Sequence, residues 1–222
     1  MGAAPGRGAR PPDLRDDHCT ERKAAAAGPH GENGGMSSSR RGPVPHPNPY
    51  PVPDAAAYLT GRWSVERTVS DLRAGVTGGF RGTAEFRPAV AGDAVTGDTV
   101  AGAAAAGAPP ADALPADALL HVEAGQLTWD GTTYPAQRTL RLCPRRDGTA
   151  EVRFADGRPF HDLDLRTGRW TAVHPCAEDR YEGTFTAVAA DEWHLEWRVA
   201  GPVKDQVLRS VYRRVSPDER QR

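Results

Sequence analysis

The sequence predicts an all-β fold: an antiparallel meander closed into a barrel and entered through one short helix. Three observations carry this. From Trp63 onward, apolar residues recur at every second position in short runs. Tight-turn signals separate those runs, among them Asp130-Gly131, Asp147-Gly148, Asp156-Gly157 and Thr167-Gly168. No long helical period follows residue 61. A meander of this length must close, because open sheet edges invite aggregation.

The elements follow in order. Residues 1–53 hold ten of the 20 prolines and a single aromatic residue, Tyr50, of fifteen in the chain. Such a segment cannot bury enough apolar area to offset its ordering entropy, so it reads as a tail with polyproline II character over 43–53. The purine-like coding of residues 31–35 also suggests a start at Met36 in place of Met1. Order is expected from Asp54, a good N-cap for a helix over 55–60 that Gly61 ends. Trp63, Val65, Arg67 and Val69 then share one face of a first strand. On the second, Phe80, Gly82, Ala84 and Phe86 share a face whose two small central residues suit a tight bend. Residues 88–118 contain thirteen alanines and no aromatic residue, and read as a disordered insertion. Nine further strands are expected between 119 and 213, making eleven in all, with a turn at Ala124-Gly125. The ordered domain is thus 54–216, and 217–222 is a polar tail.

Composition excludes several function classes. The net charge is −1, so no global electrostatic case exists for nucleic acid or an anionic membrane. No run of 18 apolar residues is present, so no helix should span a membrane. Three cysteines, Cys19, Cys143 and Cys176, are too few and of the wrong parity for a disulfide framework, and no secretory signal is visible. A cytoplasmic location is expected. Two lysines against 26 arginines point to genomic base composition, which weakens arguments from arginine abundance. Phosphate-loop, dinucleotide and nucleophile-elbow motifs are missing.

One hairpin concentrates chemistry. A two-residue loop at Thr167-Gly168 would set Leu165 opposite Trp170, Leu163 opposite Ala172 and His161 opposite His174. That face is mostly apolar and hence inward, so two imidazoles would meet inside the barrel. With Cys176 and Asp179 they are the candidate metal ligands. No Cys-x-x-Cys or His-Glu-x-x-His accompanies them, and a hydrogen-bonded tether without metal is the plainer reading. Arg158 and Tyr181 would form a rim beside the pair, with Asp179 and Tyr181 as partners for Arg158 or orienters of an imidazole. Arg67, if inward, needs a bound anion or a carboxylate partner, for which Glu123 is the candidate. Lys204 sits in the last hairpin turn where arginine is the default, and Trp193 and Trp197 share one face of the strand before it.

Two resemblances add to this. The helix followed by Gly61-Arg62-Trp63 resembles the entry of lipocalin-like, or calycin, barrels, which implies an indole packed across the barrel floor beneath an arginine of the last strand, here Arg209 or Arg213. Five ordered motifs resemble an uncharacterised bacterial family known as domain of unknown function six-three-one-four. They are 59–63, 79–84, 154–161, 174–181 and 197–205. That family implies no activity.

The leading expectation is a barrel that binds a small anionic or amphipathic molecule in its interior. Arg67, Arg158, His161, His174, Tyr181 and Lys204 would supply polar contacts, and Trp63 and Trp197 apolar wall. The alternative is an enzyme on a small hydrophobic substrate, with His161 or His174 as acid–base oriented by Asp179. A weaker third is a structural or partner-binding barrel docked through residues 37–53. No cofactor is the favoured expectation, with a metal or haem as the other options. Neither oligomeric state nor ligand identity is legible.

Overall fold

The computed structural model describes residues 49–89 and 115–216. The order is α1 (Ala55–Leu59), β1 (Gly61–Asp71), β2 (Val76–Pro88), β3 (Leu119–Trp129), β4 (Thr132–Pro144), β5 (Ala150–Phe154), β6 (Pro159–Leu163), β7 (Arg169–Cys176), β8 (Asp179–Ala189), β9 (Glu192–Ala200) and β10 (Asp205–Arg214). Every ladder is antiparallel, and the strands form one sheet in the order β6-β5-β4-β3-β2-β1-β10-β9-β8-β7. It curls into a nearly closed barrel. Period-two burial is clearest on β1, where Trp63, Val65, Arg67 and Val69 are buried and the residues between them exposed. The expectations for 1–48, for 90–114 and for 217–222 lie outside the described residues. The edges of the expected 88–118 insertion are ordered instead: Pro88 ends β2, Ala118 is buried, and Ala89 N–H donates to Ala118 O at 2.9 Å.

Ten strands stand where eleven were expected. Ala124-Gly125 is not a turn, and β3 runs through it. Gly125 is the register partner of Gly82, and the Phe80 ring covers both. A Cβ on Gly125 would lie 2.3 Å from Arg81 O and 2.8 Å from Phe80 Cζ. The glycine marks a close approach of two backbones, not a reversal. Gly125→Ala is therefore expected to cost about 1–3 kcal/mol, readable as a lower urea midpoint with an unchanged slope.

Order also begins earlier than the sequence suggested. Val52 is buried, its N–H donating to Leu165 O at 3.0 Å, and Tyr50 N–H donates to Ala187 O at 2.9 Å. Residues 49–53 thus strap the α1 end of the barrel. There the expected floor is present, with one correction. Trp63 is fully buried, its Nε1–H donating to Leu59 O at 2.7 Å, and a guanidinium lies 4.1 Å from its ring. That arginine is Arg214, which also donates to Thr60 O and Tyr58 O. Arg209 and Arg213 have the opposite parity and pair outside with Glu196 and Glu192. Arg214 is the register partner of Trp63, one residue past the expected strand end.

The expected hairpin over 160–174 is corrected more deeply. β6 and β7 are the two edges of the sheet, and no ladder joins them. Their loop is held by other contacts: Leu165 O accepts from Val52 and Gly168, and Gly168 O accepts from Ala187. Asp162 O accepts from Trp170 Nε1 at 2.8 Å and from His161 Nδ1 at 2.8 Å. These contacts occupy carbonyls that a hairpin ladder would draw on. His161 consequently stands opposite Val152, and His174 opposite Tyr181. The parity reading holds: Leu163, Leu165 and Ala172 are buried.

Candidate functional site

The interior holds a charged network built from four strands. Inward positions of β1, β3, β4 and β10 carry Arg67, Glu123 with His121, Arg138, and Ser210 with Tyr212. Arg67 Nη2 donates to both Glu123 oxygens at 3.0 Å and to Tyr212 OH at 2.8 Å, and its Nε donates to Ser210 Oγ at 2.7 Å. Tyr212 OH in turn donates to Glu123 Oε1 at 2.5 Å. Arg138 Nη2 reaches Glu123 Oε2 at 3.1 Å, and His121 Nε2 lies 3.5 Å from Oε1. One carboxylate therefore serves two guanidiniums. Arg67 and Glu123 are buried, as a charged pair must be to interact strongly.

The electrostatics follow from that geometry. Burial alone would raise the Glu123 carboxyl, but Arg138 and Arg67 overcome it and hold the group well below its usual range. Burial likewise opposes the Arg67 charge, and Glu123 and Tyr212 outweigh it, raising the guanidinium further. Tyr212 is pushed up by burial and by Glu123. His121 is pushed down, chiefly by burial, and its ring stacks on Phe86 at 4.1 Å.

Two adjoining voids flank the network. The one nearer α1 is lined by Phe86, His121, Leu140, Phe160, His161, Trp193 and Trp197 among others. It is narrow, a cavity of about 30 Å³. The second is lined by Arg67, Phe80, Glu123 and Leu208 among others. Arg138 and Trp197 line both, so they form the partition. Arg138 is the least enclosed charge of the network, with a quarter of its side chain exposed.

The two histidines sit at one aromatic corner. The ring of Phe160 contacts both, with centroids 4.7 Å from His161 and 5.0 Å from His174, and stacks on Trp197 at 5.4 Å. His161 Nδ1 donates to a carbonyl, so its neutral form carries the proton there and leaves Nε2 as an acceptor. Burial pushes His161 down to about 4, and His174 is also pushed down, chiefly by burial. Both imidazoles are neutral at pH 7. Neither is hydrogen-bonded to a carboxylate among the described residues.

Several sequence-predicted site residues are placed elsewhere. Asp179 pairs with Lys204 at 3.0 Å, and Lys204 Nζ also donates to Tyr181 OH at 3.1 Å. Asp179 therefore holds the last hairpin turn. Arg158 pairs with Asp156 at 2.6 Å and packs over Phe154. Trp63 forms the floor. Among the described residues no group of three or more His, Cys, Asp or Glu side chains is placed to hold a metal ion, so His161, His174, Cys176 and Asp179 are not gathered into one. Arg67, His161 and Trp197 do line the voids, and Arg67 has the expected Glu123 partner. Sequence reasoning missed His121, Arg138 and Tyr212. The signal was available: His121 and Glu123 share parity on β3, and Arg138 is the register partner of Glu123. Splitting β3 at Ala124-Gly125 hid it.

Fold and interior together define a nearly closed antiparallel β-barrel with a charged network in its core. The chain belongs to a family of unknown function, DUF6314, whose model matches residues 59–214. No curated protein matches the chain. Among solved structures it is similar to the S-type phycobiliprotein lyase CPES from Guillardia theta. The identity is 9%, covering 72% of this chain and 90% of that one, with a TM-score of 0.47. It is also similar to a de novo designed fluorescence-activating β-barrel, at 18% identity, 73% and 98% coverage and a TM-score of 0.35. A DUF3598-family protein of unknown function from Nostoc punctiforme matches at 9% identity, 76% and 51% coverage and a TM-score of 0.37. Likenesses of this size bear on neither ligand nor activity. No helix among the described residues is long and apolar enough to cross a membrane.

Proposed function

We propose that this barrel binds a small amphipathic molecule in its interior. The observation that carries the reading is the cavity beside the charged network. Its wall is apolar and aromatic, from Phe86, Leu140, Phe160 and Trp197, while His121 and Arg138 bring polar atoms to the same space. An apolar pocket with a few convergent polar groups is the usual form of a small-molecule site. Its narrowness selects thin or planar molecules, or requires Arg138 or Phe160 to shift on entry. The acid–base alternative has less support, because an imidazole acting as base is normally oriented by a carboxylate, and Asp179 is committed to Lys204.

Native mass spectrometry of the full chain, purified gently without chelator, tests the reading. The expected result is a population carrying an organic molecule of a few hundred daltons. Leu140→Phe, which fills the cavity wall, should abolish that population while leaving the fold intact. Extra mass that persists at the same level in Leu140→Phe would place the ligand elsewhere and overturn the proposal.

A further inference from the structure

We infer that the interior site takes a carboxylate head group against Arg138, His121 and Trp193, with the ligand's planar apolar body along Phe86, Leu140 and Trp197. This rests on the interior-binding reading above. Two independent observations support the head group. The first is charge. Within the network, Arg67 and Arg138 bring two positive charges and Glu123 one negative charge, and His121 is buried and neutral. The fully buried pair of Arg67 and Glu123 balances, so the excess positive charge lies on Arg138, which is three-quarters enclosed and gains from an anion beside it. The second is hydrogen bonding. Among the described residues, Arg138 Nε, Arg141 Nε and Trp193 Nε1 are buried without a hydrogen-bond partner, and all three residues line this cavity, where His121 Nε2 has only the long contact of 3.5 Å to Glu123 Oε1. His121 and Trp193 are each more than nine-tenths buried. Buried polar atoms are nearly always satisfied in native proteins. The arginine and tryptophan atoms can only donate. Such atoms ask for a ligand that accepts.

The choice among anions follows from shape. A planar carboxylate matches the flat donor edge of a guanidinium, and a narrow slot between aromatic rings admits a flat group more readily than a tetrahedral one. Arg138 is the residue to receive it. Arg67 is fixed by Ser210, Glu123 and Tyr212, whereas Arg138 makes one ion pair and stands at the partition between the voids. The rigid Arg67–Glu123–Tyr212 group holds the network in place, and Arg138 meets the ligand.

Matched probes test this on the full chain. Benzoate, 2-naphthoate and anthracene-9-carboxylate are titrated against benzyl alcohol, 2-naphthalenemethanol and 9-anthracenemethanol by calorimetry, on wild type, Arg138→Gln and Arg138→Lys, each checked for folding by near-ultraviolet circular dichroism. In wild type, the best-fitting carboxylate should bind about tenfold or more tightly than its alcohol. Arg138→Gln should erase that preference by weakening the acid far more than the alcohol, while Arg138→Lys should keep part of it. Equal binding of acid and alcohol by wild type, or a preference that survives Arg138→Gln, would overturn the head-group assignment while the interior-binding reading stands. If no probe of the series binds, the head-group assignment falls, and the mass measurement on wild type and Leu140→Phe decides the interior-binding reading separately.

Discussion

Glu123→Ala is expected to destabilise the barrel by about 3–5 kcal/mol. The reason is what it leaves behind. Glu123 accepts from Arg67, Arg138 and Tyr212, so its loss strands a buried guanidinium and a buried phenol without their main acceptor. Breaking a buried ion pair by removing one partner costs far more than the pair itself contributes. Changing Arg67 and Glu123 together, to Met and Gln, should recover part of that loss, because the fully buried guanidinium is then gone and the one that remains, Arg138, reaches solvent with a quarter of its side chain. Urea unfolding of the single and double variants reads both numbers. A single variant within about 1 kcal/mol of wild type would mean the network is better hydrated than its burial indicates.

Acidification should produce the second large effect, in two stages. His161 has a folded-state value of about 4, below the ordinary 6.5, and His121 and His174 are also lowered. A group whose folded value is depressed binds protons more readily when unfolded, so it stabilises the fold fully above pH 6.5 and loses that contribution as pH falls toward 4. His161 alone should account for about 2–3 kcal/mol over that window, given about 1.36 kcal/mol per unit and its partial exposure. Glu123 adds the second stage. Its folded value is also depressed, so its contribution is complete above about pH 4.5 and is lost as pH falls below it. Stability measured by urea at stepped pH should therefore fall from pH 6.5 downward and steepen below 4.5. His161→Phe should flatten the first stage only. A wild-type profile level between pH 6.5 and 4.5 would contradict the buried, neutral imidazoles.

Much of this barrel was legible in the chain because its strands bury one face each. Strict alternation on β1 placed Trp63 and Arg67 inward, and the inward parity of His161 and His174 was readable too. The pairing of Arg67 with Glu123 followed from the cost of an unpaired buried charge. What escaped was decided by contacts distant in sequence. Gly125 reads as a turn until Gly82 and Phe80 are seen against it. The 160–174 segment reads as a hairpin until the strap at 49–53 takes the Leu165 carbonyl. Arg138 faces Glu123 across the Asp130-Gly131 turn, and reading Ala124-Gly125 as a second turn hid that pairing.

The most direct test of the interior site is where a ligand sits. Nuclear Overhauser contacts should be collected on isotope-labelled full-length protein with 2-naphthoate bound. Contacts from the naphthalene protons to the Trp197 and Phe160 rings and to the Leu140 methyls are predicted, with the Trp193 indole N–H shifted on binding. Contacts confined to the outer face of β8–β10, at Thr184, Thr186 and Val211, would contradict the account, because they would put the molecule outside a barrel whose interior serves only to hold itself together.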